Sequence, residues 1–229
     1  FVLPGKLSQS LINLSRQTDT TLFALMMAAF NVLLWRYSGQ SDICIGYPVA
    51  NRNRQELEGL IGFFVNLQVL RSDLSDNPSL MALLQRVKHR LLEAQKYQDL
   101  PFERLVEAIQ PLRELNRSPL FQVMLVYQHA ALETLNIPGL HFELAEAEMD
   151  SAKYDLTFNV FRSGDQIRCN INYSCDLFVE STIERMAEHW QQLLISIATQ
   201  PDIPVSELAM LSQADLQRAL YDWNATEIE

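Results

Sequence analysis

The chain has 229 residues, 48% of them hydrophobic and 20% charged, and its 28 acidic against 18 basic side chains leave a formal charge of −10. That length buries a full core and suits one domain with a small appendage, in a composition ordinary for a globular protein. The acidic balance argues against nucleic acid as a partner, since phosphate binding wants a basic face.

The longest uncharged apolar run, Thr20 to Trp35, is too short to span a bilayer and contains Asn31. No signal peptide opens the chain, so the expectation is no membrane and a cytoplasmic location. Cys44, Cys169 and Cys175 are odd in number and lack Cys-x-x-Cys spacing, which predicts buried thiols rather than a zinc site or a disulfide frame.

In chain order, Thr18-Asp19-Thr20 offers capping residues before a long stripe of Leu22, Leu25, Met26, Ala29, Phe30, Leu33 and Tyr37, which ends at Gly39. Ile43 to Tyr47 predicts a short interior strand stopped by Pro48, Ala50 to Glu58 a polar segment, and Leu60 to Arg71 a second strand. Asn77-Pro78 opens a helix with Leu80, Leu83, Leu84, Val87, Leu91 and Leu92 on its apolar face.

The next stretch, Tyr97-Gln98-Asp99-Leu100-Pro101-Phe102-Glu103, bends before a proline that suits the first position of a helix. Asp99 is the expected cap, and Phe102, Leu105, Val106 and Ile109 the expected buried face. After Pro119 the pattern becomes extended. Phe121 to Tyr127 predicts a strand covered on both faces, and Leu140 to Leu144 a half-exposed one. Tyr154 to Phe161 and Ile167 to Tyr173 flank Ser163-Gly164-Asp165, a hairpin signal. Ile183, Met186, Ala187, Trp190, Leu193, Leu194 and Ile197 form the last core helix, ending before Pro201. Helices on a sheet, with strands in both halves, predict a layered α/β fold.

Three stretches resemble motifs of the condensation domains of nonribosomal peptide synthetases. Tyr97 to Glu103 is similar to their His-Gln-Asp-x-Pro-Phe-Glu signature, with Tyr97 at the usual histidine. Ile61-Gly62-Phe63-Phe64-Val65-Asn66 with Arg71 resembles Gly-x-Phe-Val-Asn-Thr…Arg, with Leu67 at the usual threonine. Arg113 to Leu120 resembles Arg-Asp-x-Ser-Arg-Asn-Pro-Leu, with Glu114, Asn116 and Ser118 as departures. Order and spacing agree, and the likeness runs from about Thr20 to about Thr199.

The resemblance implies one lobe of a chloramphenicol-acetyltransferase-like pair. It also implies amide formation by attack of an acceptor amine on a donor thioester, both tethered to carrier proteins. Such domains carry a His-His-x-x-x-Asp-Gly motif in their N-terminal half, and no His-His pair occurs here. Residues 1–200 are therefore expected to be the C-terminal lobe, inactive alone, and residues 201–229 a linker toward an adenylation domain. None of His89, His129, His141 and His189 is expected to be a catalytic base, and no catalytic residue is assigned to this chain.

The expected partners are an N-terminal lobe, donor and acceptor carrier proteins and the adenylation domain. No cofactor is expected to bind directly, because substrates arrive on phosphopantetheine. Gln122, Met124, Tyr127, Gln128 and Asn66 are candidates for a substrate tunnel, with bracing of the sheet or of a crossing loop as the alternative for the amides. Arg71, Tyr97, Gln98, Asp99 and Arg117 are expected at the lobe interface or in structural motif roles. Arg52 with Arg54, and Arg113 with Arg117, fit either a phosphopantetheine phosphate or a solvated surface. An epimerization or heterocyclization relative, or a non-catalytic carrier-docking module, are the alternatives.

Overall fold

The computed structural model describes residues 1–111, 117–129 and 151–224. Along the chain run α1 (Gly5–Gln17), α2 (Leu22–Ser38), β1 (Asp42–Val49), α3 (Gln55–Glu58), β2 (Asn66–Asp73), α4 (Leu80–Gln95) and α5 (Phe102–Ile109). They are followed by β3 (Val123–His129), β4 (Leu156–Ser163), β5 (Gln166–Tyr173), α6 (Glu180–Thr199) and α7 (Gln213–Leu220). Among the described residues the strands form one mixed sheet of five in the order β2-β1-β3-β4-β5. β3 runs parallel to both β1 and β4, while β4 and β5 are antiparallel across a turn whose Gly164 adopts φ +58°. The mixed α/β architecture agrees with the sequence.

The residues group into two compact, interleaved units. One comprises residues 1–9, 44–70 and 93–178, and the other residues 10–43, 71–92 and 179–229. The first contains most of the sheet. Its edge beyond β5 is extended by the first residues of the chain, with Leu3 N donating to Ile167 O (2.9 Å) and Cys169 N to Phe1 O (2.8 Å). Gly46 of β1 is dictated by packing, because a Cβ there would lie 2.3 Å from the Phe121 ring. Phe121 in turn meets Phe102 at 5.7 Å and Tyr154 at 5.2 Å between centroids.

The second unit is helical. α2 is buried all round from Ala24 to Leu33, beyond the stripe expected, and its Phe30 meets Trp190 of α6 edge-on at 6.1 Å. The described residues after Pro201, as far as Asn224, belong to this unit. Val205 and Leu208 are buried, and Val205 N and Leu80 N donate to Pro78 O (2.9 Å) and Ile203 O (3.1 Å) respectively. α7 opens with a reciprocal capping box between Ser212 and Asp215.

Several expectations need correction. α1 has no counterpart in the sequence reading, because Ser8 and Ser15 occupy buried positions among Leu7, Leu11, Ile12 and Leu14 and interrupt the apolar stripe. Thr18, Asp19 and Thr20 close α1, with Thr20 N donating to Ser15 O at 2.8 Å, whereas α2 is capped by Thr21 Oγ1 accepting from Ala24 N at 3.0 Å. β1 continues through Pro48 to Val49. Strand β2 begins only at Asn66, and Leu60 to Val65 is an irregular, largely exposed stretch.

Pro101, not Asp99, is the N-cap residue of α5. No residue of that helix is buried, and Ile109 is exposed. Tyr37 and Leu92 are likewise exposed at the ends of their stripes. Of the thiols, only Cys169 is buried; Cys44 is half-buried and Cys175 exposed. The strand expected over Leu140 to Leu144, His141, and Arg113 to Asn116 of the third motif lie outside the described residues.

Candidate functional site

The first two motifs meet in one hydrogen-bonded knot centred on Asn66. Its Nδ2 donates to Gln98 O (2.8 Å) and Leu100 O (2.7 Å), and its Oδ1 accepts from Leu67 N (2.9 Å) and Phe102 N (3.2 Å). Leu100 cannot be helical before Pro101, so its carbonyl is left for a side chain to satisfy. Phe102 N is one of the orphan donors at the start of α5, and Asn66 caps it from another strand. All four of these bonds from the Asn66 amide are to backbone groups.

Neighbouring side chains extend the knot. Gln68 Nε2 donates to Ala94 O (2.7 Å), and Gln68 Oε1 accepts from Tyr47 Oη (2.9 Å). Burial pushes the Tyr47 phenol up to about 12, so it stays a neutral donor. Asp99 Oδ1 accepts from Asn53 Nδ2 (2.7 Å). Asn53, Gln68 and Tyr47 escaped the sequence reading, since nothing in their local pattern marks them as partners of a turn dozens of residues away.

On β3, alternation places Gln122, Met124 and Gln128 on one face and Tyr127 on the other, so the set expected for one tunnel divides. Gln122 Nε2 braces backbone by donating to Ser118 O (3.2 Å). Met124 is buried, Tyr127 is half-buried with its phenol pushed up by burial, and Gln128 is exposed where β3 emerges from the core. Arg71 forms an exposed ion pair with Asp42 (2.7 Å), and its guanidinium holds the Asp42 carboxyl below the usual carboxylate range. Tyr97 and Arg117 are exposed.

His89 and His129 are exposed. His189 is buried in α6 with Nδ1 2.8 Å from Tyr37 Oη, and burial lowers its pKa. Among the described residues no group of His, Cys, Asp and Glu is arranged to hold a metal, and no single helix is long and apolar enough to cross a membrane.

The family model described as "Condensation domain" matches residues 1–220. The chain belongs to the condensation-domain family. The match reaches past both ends of the motif likeness and includes most of the segment after Pro201. A linear gramicidin synthase of Brevibacillus parabrevis is 45% identical over 228 residues, which is 98% of this chain but 4% of that protein. The chain thus spans a small part of its curated relative.

A four-domain nonribosomal peptide synthetase bound to AMP and glycine shares the fold at TM-score 0.85 and 24% identity, over 94% of this chain and 18% of that one. The X-domain from teicoplanin biosynthesis, solved also in complex with OxyB, matches at TM-score 0.81 and 26% identity. That likeness covers 92% of this chain and 49% of the free X-domain chain. The layered α/β expectation and its chloramphenicol-acetyltransferase-like form agree with these condensation-domain structures.

Proposed function

We propose that the chain is the C-terminal lobe of a nonribosomal peptide synthetase condensation domain, with residues 201–229 leading toward an adenylation domain. The observation that carries this reading is the pairing of a family match over residues 1–220 with coverage of only 49% of a solved relative. In this reading the domain joins a thioester donor to an aminoacyl acceptor, both delivered on carrier-protein phosphopantetheine.

Amide formation needs a neutral amine held in line and a donor for the developing oxyanion. The proton-handling histidine comes from the N-terminal lobe. This lobe contributes framework: Asn66 fixes the turn from Tyr97 to Phe102, and Gln122, Met124 and Gln128 share the β3 face assigned to the tunnel. Tyr97, Gln98, Asp99, Arg71 and Arg117 hold motif geometry or the lobe boundary rather than substrate.

The test is turnover of paired aminoacyl carrier substrates. The isolated chain is expected to give no amide product, and joining it to the N-terminal lobe is expected to restore turnover. Product from the isolated chain overturns the reading. A second reading, a docking module without chemistry, is favoured by the likeness to an X-domain solved with OxyB. It predicts a carrier or enzyme partner bound by the joined domain with no amide product.

A further inference from the structure

Where β1 begins, β2 ends and α4 passes, the helical unit carries an open cleft of about 380 Å³. It is lined by Ser41, Asp42, Arg71, Asp73, Ser75 and Arg90. Its frame is fixed by short bonds. Leu74 N donates to Ser41 O (2.9 Å), which ties the end of β2 to the start of β1. Arg71 grips Asp42 through Nε (2.9 Å) and Nη2 (2.7 Å), the forked geometry that suits a carboxylate.

The charges in this lining do not all cancel one another. Arg71 and Asp42 are matched, as are Arg86 and Asp76 beside them. Arg90 spends Nη1 on the carbonyl of Arg71 and forms no ion pair among the described residues. A guanidinium has five N–H donors, so most of its capacity is left for something else. Asp73 accepts from Ser75 N through Oδ1 (2.9 Å) and likewise has no cationic partner at bonding distance among the described residues. Ser75 holds that carboxyl below the usual carboxylate range, against the opposing push of Asp42 and Asp76, so it is ionised at neutral pH.

The cleft thus presents one unmatched cation and one unmatched anion, with two hydroxyls in the same lining. No lining side chain is apolar, so a ligand is held by its poles rather than by burial of hydrocarbon. A phosphate or a lone carboxylate would gain Arg90 but face the carboxylates of Asp42 and Asp73. A lone cation would gain Asp73 but face two guanidiniums. A small molecule carrying both signs avoids both repulsions. The volume lies at the lower end of the roughly 300–1,000 Å³ typical of small-ligand sites.

We propose that this cleft binds a free α-amino acid, its carboxylate on Arg90 and its ammonium on Asp73, against a fixed wall made by the Arg71–Asp42 pair. The site stands whether or not the chain is one lobe, since all six residues come from one unit. An occupant ties the end of β2 to α4.

The test follows hydrogen exchange over residues 71–77 and 86–92 in the intact native polypeptide. Glycine, L-leucine and L-glutamine are titrated separately, up to tens of millimolar. At least one of them should slow exchange in these segments by about threefold or more. R90Q and D73N keep the size and local hydrogen bonding of each side chain, and each should abolish the slowing while protection of α2 and α6 is unchanged. Acetate, methylammonium and inorganic phosphate, at matched ionic strength, should leave both segments as they were.

Slowing by acetate or phosphate shows an anion site, and slowing by methylammonium a cation site; either overturns the proposal. Exchange unchanged by all three amino acids, or slowing that persists in R90Q or D73N, overturns it as well. An amino acid bound elsewhere in the polypeptide alters exchange in other segments and is told apart by its place.

Discussion

The helical unit around Trp190 and the hydrogen-bonded knot around Asn66 solve the same problem, fixing chain in one place, by opposite means. Around Trp190, α2 and α6 bury Phe30, Met26, Leu193, Leu194 and Ile197 as one apolar core. Around Asn66, apolar side chains stay in water and directed amide bonds do the holding. The first stabilises by area and tolerates imprecision. The second sets position with little burial.

The contrast can be broken most sharply at its apolar end. Trp190→Ala should cost about 3–5 kcal/mol of stability, because a fully buried indole leaves a cavity, and urea unfolding reads the loss. A midpoint within error of the parent would show that α2 and α6 do not form the core described. Gly46→Ala follows, at about 1–3 kcal/mol, since Phe121 must move away from a Cβ 2.3 Å from its ring.

At the polar end, Asn66→Ala orphans two carbonyls and the Phe102 N–H, for about 1–3 kcal/mol. Faster hydrogen exchange should concentrate between Tyr97 and Phe102. A uniform loss across the chain would count against a local brace.

Smaller effects, both within the helical unit, come from pH and charge. Burial depresses the His189 pKa in the folded state; nearby Asp215 and Glu188 oppose this and Arg185 adds to it. The unfolded chain therefore binds this proton more tightly. Stability from neutral His189 is present above its ordinary pKa of about 6.5 and is lost as pH falls below it. His189→Gln should flatten that slope in denaturation midpoints taken from neutral to mildly acidic pH. Arg71→Ala, by contrast, should change stability by less than about 1 kcal/mol, because its pair with Asp42 is exposed and screened.

The parts legible in the sequence were those where one period dominates. α2, α6 and the β4–β5 hairpin follow from apolar spacing and from Gly164, and three motifs in order carried the family. What stayed hidden depended on distant partners. α1 was masked by Ser8 and Ser15 at buried positions, of which Ser15 turns its Oγ back to Ile12 O (2.8 Å). The cap of α5 comes from Asn66, 36 positions away. Leu60 to Val65 has strand-like composition, and no local rule says that its apolar residues are held outward. On β3 the residue types suggested a tunnel lining, while alternation and burial divided the set.

In the proposed C-terminal lobe, no imidazole of this chain handles the reaction proton. The direct measurement is the rate of amide formation by the domain rejoined with its N-terminal lobe, carrying H89Q, H129Q and H141Q together, with H189Q assayed separately beside its own stability. Rates within about threefold of the parent, under a kcal/mol of barrier, are predicted. A fall of a hundredfold or more in a folded variant would contradict it.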